Sequence, residues 1–184
     1  MGTLLASQNG NISPVWPATG VGIAAMLLFG NRIWPALLFA AMASNALSPA
    51  HPIAIVGMAV GDVTEFWIGA SIVRAALAMR DRFRGMSEPL GIVLAALVSP
   101  WIGAAVGIMS LRPAAWGNAL ETWLVGDFLG ALTVLPVLLS IGERLSRPDD
   151  PLPRIRLSPV AAIGAVAAVG WILAVSSAGA SWLF

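Results

Sequence analysis

The chain has 184 residues, of which 58% are apolar and only 10% charged, against roughly 25% charged in soluble domains. No soluble fold of this length hides so much apolar side chain, so much of its surface must face lipid. Cysteine is absent and the single histidine is His51, which excludes disulfides, thiol chemistry and a multi-histidine metal site. The net charge of +1 is uninformative, but the placement of the basic residues, all of them arginine, is not.

Residues 1–12 carry neither a basic start nor a useful apolar run, so they read as the residue of a truncated preceding span rather than a signal peptide. The expected membrane domain covers 13–184. A span needs about 20 mostly apolar residues, and six stretches qualify or nearly so: Pro14–Gly30, Ile33–Leu47, Pro52–Met79, Pro89–Leu111, Ala115–Ile141 and Leu157–Phe184. The first two are short, and the first is broken at its start by Pro14, Pro17 and Gly20. Two prolines prevent a regular helix start there, so that backbone must line a cavity or be buried in protein. Strands are excluded by long apolar runs without strict alternation. The expected fold is an all-α, polytopic transmembrane helix bundle of about six spans.

Alternate loops, around 31–32, 80–88 and 143–156, carry eight of the ten arginines, while the opposite loops hold only Arg112. By the positive-inside rule those three loops are expected to be cytoplasmic and both ends of this chain to lie outside. Small-xxx-small pairs, Gly57/Gly61, Gly103/Gly107 and Gly126/Gly130, predict close helix packing. The one arginine inside a span, Arg74, is near enough to the cytoplasmic end to snorkel.

Charges inside hydrocarbon are costly and mark functional candidates. Asp62 and Glu65, three apart in the third span, share a helix face beside the stripe Gly57, Gly61, Gly69. The fifth span holds Asn118, Glu121 and Asp127, with Trp116, Trp123 and Asp127 projecting in nearly one direction. At ~1.5 Å of rise per residue, Asp62, Glu65 and Asp127 all lie roughly 15–20 Å below the outer boundary, and Asn45 reaches a similar depth. Glu121 is shallower and reaches water. The acids must be protonated, paired with an arginine such as Arg112, or bound to a cation. The plainer alternative is that they only hydrogen-bond helices together. His51 reads as a solvated turn residue, and the tryptophans mostly as interfacial anchors.

The stretch SPVWPATGVGIAAMLLFGNRIWPALLFAAMASNA resembles the opening signature of the bacterial membrane-associated sensor domain of the first MASE type. GDVTEFWIGASIVRAAL and WLVGDFLGALTVLPVLL fit the same family, and the resemblance covers roughly residues 4–184. It implies an N-terminal input module of histidine kinases or diguanylate cyclases, with about eight spans in the complete domain, one before and one after this chain. The expected function is a sensor domain that binds a small ligand or ion in an outward-facing polar cavity, with Trp16, Asn45, Asp62, Glu65, Trp123 and Asp127 as its binding residues. Expected partners are membrane lipid, a cytoplasmic output domain and a second copy of the chain as a homodimer, with no nucleic acid. No nucleophile–base pair is visible, so the chain is expected to be neither an enzyme nor the holder of a cofactor or metal. A solute transporter, or its substrate-binding subunit, is the rival reading, because short Pro/Gly-broken spans with midplane polar groups also mark transport sites. A scaffold that only anchors and dimerises its partner is the third.

The topology is checked by cysteine labelling in intact cells. A cysteine replacing Ser87 or Asp149 should resist a membrane-impermeant thiol reagent and one replacing Ala50 should react; the opposite pattern overturns the orientation.

Overall fold

The computed structural model describes residues 16–48, 50–79, 81, 85–112 and 116–146, the last four by backbone alone. The expected sixth span, the segment 1–12, Ser13–Val15 and Arg80, Arg82, Arg84, Arg147, Arg154 and Arg156 lie outside them. Every described element is helical: α1 (Pro17–Phe29), α2 (Trp34–Asn45), α3 (Pro52–Ala78), α4 (Ser87–Leu111) and α5 (Trp116–Ser146), with a 3-10 turn at Asn31–Ile33 joining α1 to α2.

The helix starts follow from local chemistry. Pro17 and Pro35 stand in the first turns of α1 and α2, and Pro52 opens α3, where a missing N–H is no loss. His51 Nδ1 accepts the Ile53 N–H at 3.3 Å, so the exposed turn histidine also caps α3. α1 ends at Gly30, whose φ of 82° a residue with a Cβ adopts only at a cost. Arg112 closes α4 in the left-handed conformation.

Three helices, Pro52–Ala78, Ser87–Leu111 and Trp116–Gly142, are long and apolar enough to cross a membrane. α1 and α2 have 13 and 12 residues, about 20 and 18 Å of helix, well short of the ~30 Å hydrocarbon layer. The described residues therefore carry three helices of spanning length, the shorter apolar helix α1 and the half-length α2, and do not confirm the expected count of six.

Neighbouring packings close a ring: α1 lies against α3 and α5, and α4 lies against the same two, with α2 outside on α3. α3 and α4 run antiparallel with the most extensive interface. Their glycine stripes meet, Gly57 against Ser110, Gly61 against the Gly103 carbonyl and Gly91 against Ala76 and Val73. α1 and α5 run parallel, so Gly20 meets Gly130 at one end and Leu28 meets Gly142 at the other. The small residues bring backbones together where lipid supplies no hydrophobic drive for association. Inside the ring Ile23, Met26, Val63, Phe66, Ala70, Val73, Ala131 and Leu135 form an apolar core. Large apolar side chains cover the outside, Ile53 and Met109 each 76% exposed and Phe39 70%, as expected of a surface that meets lipid.

Gly130 tests the packing. A Cβ there would collide with the backbone carbonyl of Trp16, which cannot swing aside. Gly130→Ala, although it favours helix, should lower stability by about 1–3 kcal/mol. Gly117→Ala, in open space, should not. Thermal unfolding in detergent compares them, and equal stability of the two variants would refute the packing.

Candidate functional site: an acid layer at the bundle axis

One turn above the apolar core the ring interior becomes polar. Asp62 and Glu65 enter from α3 and Asp127 from α5, helices on opposite sides of the ring. All three are buried, Glu65 and Asp127 at 1% exposure. Asp62 and Glu65 stand three apart on α3, the Glu65 carboxyl lies against Gly103 of α4 and Asp127 meets Thr19 of α1, so the three acids share one layer of the ring interior.

The helices supply two donors to it. Asn45, the last residue of α2, donates from Nδ2 to Asp62 Oδ2 at 2.9 Å. Thr19, in the first turn of α1, donates from Oγ1 to Asp127 Oδ1 at 2.7 Å and is itself fully buried. Glu65 Oε1 and Asp127 Oδ2 have no hydrogen-bond partner among the described residues. The Glu65 carboxyl lies instead against Gly103 of α4, where any Cβ would strike it. Arg112 is exposed at the end of α4, and no ion pair with the acids is formed among the described residues. No group of three or more Asp, Glu, His or Cys side chains there is arranged to hold a metal ion.

The start of α1 is fixed by this layer. The Trp16 N–H donates to the Gly126 carbonyl at 2.9 Å, and the Trp16 carbonyl rests on Gly130, so α5 receives the α1 entry on the two glycines that flank Asp127. The expected irregular start is not found, for α1 is a regular helix from Pro17 onward, and the Trp16 backbone just before it is held by α5. At the other end of α1, Arg74 of α3 donates from Nη2 to the Met26 carbonyl at 2.5 Å and from Nη1 to Asn31 Oδ1 at 2.7 Å. Arg74 is thus turned toward protein rather than extended along the helix to water, because the orphan carbonyls ending α1 are the nearer acceptors.

Asn45, Asp62, Glu65 and Asp127 are brought together in one layer. Trp16 joins by its backbone, and the Trp123 ring packs on Gly107 of α4, one turn from the Gly103 contact with Glu65. Trp116 and Glu121 are exposed and stand apart. Thr19 was not legible as a site residue, since a threonine in the first turn of a helix carries no signal of its partner 108 positions away. Arg74 was visible as an intramembrane charge, but its partners, Met26 and Asn31, were not.

What this arrangement defines first is a class: a polytopic, all-helical membrane domain with lipid-facing apolar walls and a carboxyl-lined interior. The MASE1 family model matches residues 1–184, the whole chain, and the chain belongs to that family of membrane-associated sensor domains. This is an input module rather than a catalytic one. No curated protein and no solved structure matches the chain.

Thr19→Val keeps the shape and removes the hydroxyl that serves Asp127. Unfolding in detergent should show a loss of about 0.6–1.7 kcal/mol, the range for interhelical hydrogen bonds in membranes. An unchanged midpoint would mean that the bond does not hold α1 to α5.

Proposed function

We propose that this domain is the signal-input part of a bacterial inner-membrane receptor, with the loops around 31–32, 80–88 and 143–156 on the cytoplasmic side. A small ligand or ion enters an outward-facing polar cavity lined by Trp16, Asn45, Asp62, Glu65, Trp123 and Asp127. The resulting change in helix packing passes to a cytoplasmic output domain, a histidine kinase or a diguanylate cyclase, with a second copy of the chain as a further partner. The observation that carries this reading is the pair of buried carboxyl oxygens, Glu65 Oε1 and Asp127 Oδ2, that no described group satisfies. A bundle that needed polar glue alone would use amides or hydroxyls, which cost less to bury than carboxylates. Binding shifts helix packing only by its differential affinity for two arrangements, and α1, bonded to α5 by Thr19 and to α3 by Arg74, is the element both arrangements would reposition.

The half-length α1 and α2 favour a second reading, solute transport, because interrupted helices that point an N-terminus at midplane polar groups also build transport sites. Uptake of a labelled solute by proteoliposomes holding this chain alone would select it.

Asp62→Asn and Asp127→Asn preserve size and most hydrogen bonding while removing the carboxyl. Both variants should insert and fold, since a membrane polar contact averages about 0.6 kcal/mol. Sensitivity of the full-length protein to its stimulus should fall more than about tenfold, the effect of losing a charge-assisted bond. Normal folding with unchanged sensitivity would make the acids structural and end the sensory reading of this layer.

A further inference from the structure

We propose that the ligand of the acid layer is the proton, so that Asp62, Glu65 and Asp127 form a shared proton-binding site whose loading sets the separation of α3 and α5. The inference rests on the reading of this layer as the receiving site and names what it receives.

Hydrogen-bond accounting leads there. An ionised carboxylate only accepts, and three of them in one layer offer acceptor positions for which the helices bring two neutral donors, Asn45 Nδ2 and Thr19 Oγ1. Glu65 Oε1 and Asp127 Oδ2 are left over, both in residues that are 1% exposed. A proton on such an oxygen converts a surplus acceptor into a donor and removes a charge in the same step. It comes from bulk water and returns there, and the carboxyl is otherwise unchanged. Among the described residues the acids are not arranged as a metal-ligand set.

Among the described residues nothing facing the layer competes for this role. α1 contributes Thr19 and no titratable group, α2 contributes Asn45, and α4 contributes Gly103 and, one turn on, Gly107. On α3 the nearest cation is Arg74, nine residues beyond Glu65 and about 13 Å along the helix, and its fork is held by Met26 and Asn31. On α5 Glu121 is exposed and Asp127 is the one acid turned inward among the described side chains. Loss of the protons would place like charges on opposite sides of the ring, on α3 and α5, with no cation between them. The two helices would then repel, and α1, tied to both, would shift with them.

Infrared spectroscopy of the full chain in lipid vesicles reads the carboxyl C=O stretch directly. Wild type at neutral pH should show a protonated-carboxyl band that is lost at alkaline pH and regained on return. The band should weaken in Glu65→Gln and in Asp127→Asn and stay unchanged in Glu121→Gln. If either buried-site variant fails to fold, the wild-type titration alone decides. Absence of the band at neutral pH, as water-solvated carboxylates would give, overturns the proposal, and so does its loss on adding sodium or magnesium at fixed pH. Absence of the band with a response still abolished by Asp127→Asn refutes the proton and leaves the sensor reading intact. A titrating band with a response indifferent to Asp127→Asn supports proton binding and refutes the sensory role alone.

Discussion

Lipid offers no partner to a polar group, so three carboxyl side chains inside a ring of membrane helices depend wholly on what those helices bring to them. That requirement organises the upper half of this bundle. α2 ends where its last residue, Asn45, meets Asp62, and α1 begins where Thr19 meets Asp127. Gly103 leaves the space that Glu65 fills. Each contact joins a different pair of helices, so the acid layer is also the place where α1, α2, α3, α4 and α5 are tied to one another.

The half-length α1 is held by polar bonds at both of its ends as well as by packing along its length. Its start is set by the Trp16 backbone on Gly126 and Gly130, and its end by the Arg74 fork on the Met26 carbonyl and Asn31. Between them lies an apolar stretch, Ile23 to Met26, that is fully buried in the core. A helix anchored in this way links the acid layer directly to the turn at Asn31. Four hydrogen bonds, those of Trp16, Thr19 and the Arg74 fork, and two glycines thus fix both ends of α1.

The six residues singled out from sequence entered on two kinds of signal. Asp62, Glu65 and Asp127 were legible because a carboxylate in an apolar run is expensive enough to demand a reason, and helical rise placed them at one depth. Asn45 was legible by depth alone, and its bond to Asp62 supports that placement. Trp123 and Trp116 shared a predicted direction, yet Trp123 packs on Gly107 while Trp116 is 65% exposed. Seven residues along a helix fix an angle but not whether a neighbour is present at that height.

The sequence by itself determined the all-helical membrane fold, the full-length third to fifth spans, the shortness of the first two and the role of the glycine pairs as packing sites. These are properties of composition, apolar run length and residue size, which act locally and need no knowledge of neighbours. Tertiary structure alone decided that α1 and α4 lie diagonally across from one another, and that α3 and α5 therefore present their acids to a common axis. It also decided that Thr19 serves Asp127 and that Arg74 turns to the end of α1 rather than to water. A hydrogen bond across 108 residues depends on which helices are neighbours, and in a bundle whose apolar faces all meet lipid equally well, hydrophobic pattern does not encode that choice.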